Sequence, residues 1–143
     1  MNGVDLYLLG RALMKIGEEA LPEPPSGEGR YAGSARMVLI VASDIAEHPD
    51  TAVGEIARRT GLPQSQVSTA IARLKEAGAV FTTSDPADRR RALVTGTTDS
   101  LAELRATTIS PALTAALDDP KREAEVTELL EQLARVLLPD RKI

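Results

Sequence analysis

The chain has 143 residues and a net charge of −4, with 43% apolar, 27% charged and only 2% aromatic residues. That length suits one domain with a sizeable core, and the scarcity of aromatics leaves Leu, Ala, Val and Ile to fill it, which favours helices over a sandwich or barrel. The absence of cysteine excludes a disulfide framework, a thiolate metal site and a thiol redox sensor; with no apolar run near the roughly 18 residues of a membrane span and no leader-like N-terminus, a cytoplasmic protein is expected.

Residues 4–20 place Leu6, Leu9, Leu13, Ile16 and Ala20 at steps of three and four, which is one helical stripe. Leu8, Ala12 and Met14 widen it, so this helix needs burial on more than one side. Residues 21–33, LPEPPSGEGRYAG, hold three prolines and three glycines and predict an exposed connector. Ser34 is a good N-cap for a helix over residues 35–48, closed by Pro49. Met37, Val38, Leu39, Ile40, Val41 and Ile45 make that helix apolar nearly all round, as a central core helix would be. Arg30 in the connector could contact phosphate if that loop lies near DNA, and Arg36 early in the helix reads as a surface or loop contact rather than a catalytic residue. The one histidine, His48, sits at the helix end and is expected to meet the last carbonyls rather than a metal.

Thr51 or Ala52 opens a further helix to about Thr60, with Val53, Ile56 and Ala57 inward. Gly61 supplies a tight turn of positive φ, and Leu62 plugs the space between helices. Pro63 or Gln64 starts the next helix, which runs through Ala77 and ends at Gly78. Its buried stripe is Val67, Ala70, Ile71 and Leu74, which leaves Ser65, Gln66, Thr69 and Arg73 together on the opposite face. Short hydroxyls and one amide, with no acid before Glu76, suit a helix approaching base edges in a major groove. Residues 79–83 and 91–95 read as short paired strands with Asp85-Pro86 at the bend. Arg89, Arg90 and Arg91 cluster near the tip, where they suit the electronegative minor groove or its bordering phosphates. Asp88 could orient the Arg90 guanidinium. Taken singly, the polar helix face and the arginine cluster also read as solvated surface; their adjacency favours DNA.

Charge sorts the same way. Between residues 51 and 95, seven basic residues (Arg58, Arg59, Arg73, Lys75, Arg89, Arg90, Arg91) outnumber four acidic ones (Glu55, Glu76, Asp85, Asp88) for a local +3, so the remainder carries −7 of the total −4. A basic module in an acidic frame steers DNA to one face.

Thr97, Thr98, Asp99 and Ser100 are all plausible caps for a long helix beginning near Leu101. Leu101, Leu104, Ile109, Leu113 and Leu117 mark its apolar side, and Pro111 should kink it. Asp118-Asp119-Pro120 then breaks the chain before a last helix to about Leu138, striped by Val126, Leu129, Leu130, Leu133, Val136 and Leu137. The first and last helices are too apolar to stand free, so packing against a second copy across a two-fold axis is expected.

The segments EIARRTGLPQSQVSTAIARLKEAGAV and DPADRRRALV resemble the MarR (multiple antibiotic resistance regulator) family of winged helix-turn-helix transcription factors. The resemblance implies a mainly α fold with a small β-hairpin wing, one domain over residues 1–143. Within it, helices in 1–20 and 97–138 interlock two copies and residues 51–95 bind double-stranded DNA. It implies a major-groove helix carrying Ser65, Gln66, Ser68 and Thr69, with Arg73 as a phosphate contact or ion pair. It implies a minor-groove wing with Arg90 at its centre, Arg89 and Arg91 beside it, and Asp88 as orienting partner. The function so expected is a homodimeric, sequence-specific regulator, a repressor acting at a palindromic operator, with no cofactor and no metal. Nothing in the sequence pairs an acid with a base, sets a nucleophile beside a histidine or cradles a phosphate, so no enzyme is expected. A small-molecule effector stays open. The competing reading is a winged-helix module for protein–protein contacts, which internal pairing of the three wing arginines would favour.

Overall fold

The computed structural model of the chain describes residues 1–21, 32–97, 107–141 and 143. In order they form α1 (Gly3–Ala20), α2 (Ala32–Glu47), α3 (Val53–Thr60), α4 (Gln64–Glu76), β1 (Val80–Ser84), β2 (Ala92–Gly96), α5 (Ser110–Ala116) and, after a 3-10 turn (Pro120–Arg122), α6 (Glu123–Leu137). The strands pair antiparallel with Val80 opposite Gly96 and Ser84 opposite Ala92. This is the expected fold class, mainly helical with one hairpin. The described residues group into two compact units: α1, α5 and α6 in one, and α2, α3, α4 and the hairpin in the other, with Asp140 and Arg141.

The hairpin unit is built on one apolar cluster. Val41, Ala42 and Ile45 of α2 meet Ile56 of α3, the α4 stripe Val67, Ala70, Ile71 and Leu74, and Val80 and Val94 of the strands. Burying each Val, Ile or Leu side chain contributes about 1.5–3 kcal/mol, so this cluster fixes α4 against α2 and α3. Gly61 ends α3 at φ +72° with its N–H on the Ala57 carbonyl, and Leu62 packs partly buried on the cluster. Only glycine takes that left-handed turn without a steric cost. Gly78 does the same after α4. Its N–H meets Lys75 O at 3.0 Å and the Ala79 N–H meets Leu74 O at 2.9 Å, a Schellman closure that aims the chain straight into β1.

Several boundaries differ from expectation. Ser34 lies inside the first turn of α2 rather than capping it, because the helix begins at Ala32; neither Ala32 nor Gly33 stops a helix at its first turn. Of the two expected openings of α3, Thr51 and Ala52, the structure takes Ala52. Asp50, at φ +56° and paired through Oδ1 with Thr95 Oγ1 at 2.7 Å, turns the chain so that Thr51 forms an antiparallel bridge with Val94. Ala52 then precedes α3. Thr97, one of the expected caps, closes the wing base: its N–H bonds Ala79 O at 2.9 Å. Pro111 does not kink a continuous helix. Residues 107 and 108 are not helical, and Pro111 sits in the first turn of α5, where its missing N–H costs nothing. The connector residues 22–31, with Arg30, and the expected caps Thr98, Asp99 and Ser100 with Leu101 and Leu104 lie outside the described residues. His48 behaves as expected, its Nδ1 lying 3.2 Å from Asp44 O.

In the other unit, Asn2 and Asp5 cap α1 reciprocally, α1 packs on α5, and α5 packs on α6. Leu113 and Ala112 of α5 are buried. Ser110 Oγ and Thr114 Oγ1 both donate to the Glu123 carboxylate. The Ser110 bond first and the Thr114 bond second hold that carboxyl below the usual glutamate range. Neither α1 nor α6 contains a buried residue. Leu6, Tyr7, Leu8 and Met14 on α1 and Leu129, Leu133, Val136 and Leu137 on α6 are exposed. No helix among the described residues is long and apolar enough to cross a membrane.

Candidate nucleic-acid interface

The α4 stripe that faces the core dictates what faces away from it. With Val67, Ala70, Ile71 and Leu74 buried, Ser65, Gln66, Ser68 and Thr69 are exposed and Arg73 is half-buried. Ser65, Gln66, Thr69 and Arg73 form one wall of an open cavity of about 430 Å³, whose other wall is Met37 and Val38 of α2 with Ala70 below. Ser68 lies outside that cavity lining. Thr69 Oγ1 donates to Ser65 O at 2.9 Å, which consumes its hydroxyl proton within the helix. Thr69 thus presents a methyl group and an acceptor, whereas the Gln66 amide keeps both donor and acceptor outward.

The wing loop, residues 85–91, is ordered from within. Asp85 Oδ1 accepts from Ala87 N at 2.9 Å, and Asp85 N donates to Arg91 O at 2.9 Å. Asp88 accepts twice from the backbone: its Oδ1 from Arg90 N at 3.1 Å and its carbonyl from Arg91 N at 2.9 Å. Asp88 therefore orders the main chain of the tip rather than clasping the Arg90 guanidinium. The three arginines divide. Arg89 and Arg90 are exposed, and among the described residues no partner engages either guanidinium. Arg91 Nη2 instead meets Glu55 Oε1 on α3.

Behind this surface lies an ionic network that is absent from the expectations drawn from the sequence. Asp44, fully buried on α2, accepts a forked pair from Arg59: Nε to Oδ1 at 3.0 Å and Nη2 to Oδ2 at 2.7 Å. Nη2 also donates to Thr51 Oγ1 at 2.6 Å, and Arg59 Nη1 lies 3.8 Å from Glu55 Oε2. The planar guanidinium fork matches a carboxylate, which lets a charge pair sit where the side chains are only 5% and 0% exposed. A signal was available: Asp44 is the one charge between Met37 and Ala46, in a helix otherwise apolar nearly all round. A charge so placed has to be paired. Elsewhere in the same unit Arg58 pairs with Asp140 at 3.1 Å and Arg141 with Glu47 at 3.0 Å. No group of three or more His, Cys, Asp or Glu converges as a metal site among the described residues.

Comparison with known proteins gives this geometry a context. Residues 36–91 match the model of the MarR family, a span from α2 to the end of the wing loop. A search of curated proteins by sequence gives no match. Among solved structures, the fold is similar to that of the transcriptional regulator BldR from Sulfolobus solfataricus, at 23% identity and a TM-score of 0.63, covering 96% of this chain and 98% of that one. It is similar to Bordetella bronchiseptica BpsR, whose DNA binding is regulated by 6-hydroxynicotinic acid (23% identity, TM-score 0.59, 90% and 96% covered). It is also similar to the transcriptional repressor CouR bound to a 23-mer DNA duplex (23% identity, TM-score 0.56, 90% and 91% covered).

Proposed function

We propose that this chain, which carries the MarR-family module in a winged helix-turn-helix fold, is a sequence-specific DNA-binding transcriptional regulator without enzymatic activity. In this reading α4 enters the major groove through Ser65, Gln66, Ser68 and Thr69, with Arg73 toward the phosphates, and the wing reaches the adjacent minor groove through Arg89 and Arg90. One observation carries it. The outward face of α4 is polar and free of acids up to Glu76, and it belongs to the same unit as a wing whose Arg89 and Arg90 guanidiniums are left for an external anion. Phosphates supply most of the affinity in such a contact, while hydrogen bonds to base edges supply the discrimination. Of the three wing arginines, Arg91 is paired within the chain while, among the described residues, Arg89 and Arg90 are not, and those two count against a protein-interaction module, which pairing of the whole cluster would have favoured.

Two copies are part of the reading. The exposed Leu and Val side chains of α1 and α6 are more than a soluble monomer leaves open, and a self-complementary two-fold interface buries both helices at once. Two recognition helices then require a palindromic operator with half-sites one helical turn apart. Repression by occluding a promoter is the simplest outcome. The cavity between α2 and α4 offers a small-molecule effector a place where it would compete directly with base readout by Gln66 and Thr69. The test is selection of binding sites from genomic fragments with the purified chain. A shared palindrome with half-site centres about 10 base pairs apart is expected; enrichment of no sequence, or of a lone asymmetric half-site, would overturn the reading.

A further inference from the structure

The wing is a two-stranded ribbon, and such ribbons are only marginally rigid alone. Among the described residues, the polar contacts that tie its base and middle to α4 and the segment before α3 include the Thr51–Val94 backbone bridge, at 2.7 and 3.1 Å, the Asp50–Thr95 pair, and Lys75 Nζ to Thr82 Oγ1 at 3.2 Å. None of them reaches the tip end. Glu55 does. One of its oxygens meets Arg91, the residue that closes the wing loop, and the other faces Arg59, whose remaining edge is locked on buried Asp44 and on Thr51.

We propose that Glu55 is a positioning residue for the wing: the chain Asp44–Arg59–Glu55–Arg91 anchors the tip end of β2 to the core and so sets where Arg89 and Arg90 stand relative to α4. The inference rests on the DNA-binding reading above. Its logic is geometric. Thr51 clamps Val94 in the middle of β2 and Glu55 clamps Arg91 at the end of the loop, and two clamps fix the direction of a rod where one leaves it a pivot. Arg59 serves both, since the same guanidinium bonds Thr51 Oγ1 and faces Glu55. The Glu55–Arg91 pair is half-exposed and so adds little to stability. Its consequence is placement of the two free cations, which matters only when DNA must be met by helix and wing together.

Charge makes the test decisive. Glu55→Gln adds one positive charge beside the wing, and electrostatics alone would then tighten binding to any duplex. Loss of positioning predicts the opposite on a preferred site. The wild-type full chain, Glu55→Gln and Glu55→Asp, which keeps the charge but is one methylene too short, are titrated against the tightest duplex selected by wild type from a random pool and against a scrambled duplex. Both variants should keep the wild-type melting temperature within a few degrees. Both should bind the selected duplex about three- to fivefold more weakly, with shallower salt dependence and lost minor-groove protection beside the half-sites, while binding the scrambled duplex at least as well. Should either folded variant bind the selected duplex as tightly as wild type, with unchanged salt slope and footprint, the positioning role is overturned and DNA binding stands. A wild-type chain that selects no duplex would overturn the DNA reading, and this inference with it.

Discussion

Arg90 and Arg91 are neighbours in the chain, yet among the described residues only the Arg91 guanidinium meets a partner. Arg91 is satisfied by Glu55 within the protein, whereas Arg90 projects from a tip whose backbone Asp88 has already ordered. A cation held on a rigid turn and left without a partner is matched to an external phosphate or to a narrow minor groove. Arg90→Ala should therefore weaken binding across most duplex sequences and flatten the dependence of log affinity on log salt by about one unit per lost phosphate contact. Fluorescence anisotropy titrations between 50 and 200 mM salt measure both quantities; unchanged affinity and slope would remove the wing from the interface. The three-arginine run was legible in the sequence as charge, but not its division of labour. Glu55 lies 36 residues before Arg91, and no local pattern announces that a helix on the far side of the turn will claim one arginine of three. Asp88 shows the same limit. Its spacing from Arg90 suggests a side-chain pair, and the chain uses it for a tight backbone turn instead.

At the scale of elements, the α3–turn–α4 unit was the most legible part of the chain. Its helices are short and their apolar spacing admits one buried face. Gly61 and Gly78 fall where a left-handed residue is needed, and all four expected stripe residues of α4 are buried. Legibility fell where a polar residue does the work of a core residue. Asp44 sits in α2 at a position that packing would give to Leu or Val, and only the fold brings Arg59 to it. This pair ties α2 to α3 more specifically than the surrounding aliphatic contacts do, because removing one partner leaves the other charged and dry. Asp44→Ala should destabilise the chain by about 3–5 kcal/mol, the cost of an uncompensated buried charge. Asp44→Leu combined with Arg59→Met should recover most of that loss. Urea denaturation midpoints at a common m-value decide it: a single variant within about 0.5 kcal/mol of wild type, the range of ordinary surface substitutions, would mean the pair is far wetter than its burial implies. Pro111 teaches a related lesson. A proline inside an apolar period reads as a kink, but the first turn of a new helix accommodates it at no cost, and tertiary context chose the second.

For the whole molecule, the faces that lack a partner carry the argument. An amphipathic helix normally gains its stability by burying its apolar face, yet α1 and α6 bury no residue, and Val136 and Tyr7 remain 75% and 65% exposed. The sequence already marked these two helices as too apolar to stand free, since periodicity shows which side of a helix is apolar; it does not show what covers it. A second copy is the occupant that the proposed palindrome also demands, and a stable interface of this kind buries about 1,200–2,000 Å². Leu133→Glu puts a charge in the middle of the α6 stripe, where it would have to be desolvated opposite its own symmetry mate. Sedimentation equilibrium should give a dimer for the wild-type chain at micromolar concentration and a monomer for Leu133→Glu, with far-UV circular dichroism unchanged. The variant should also lose high-affinity binding to a two-half-site duplex while keeping the weak binding of wild type to an isolated half-site, because linking two modules multiplies affinity by about 10²–10⁴ only while both are joined. Retained tight binding to the full site by a monomeric variant would show that the two copies meet on DNA rather than through α1 and α6.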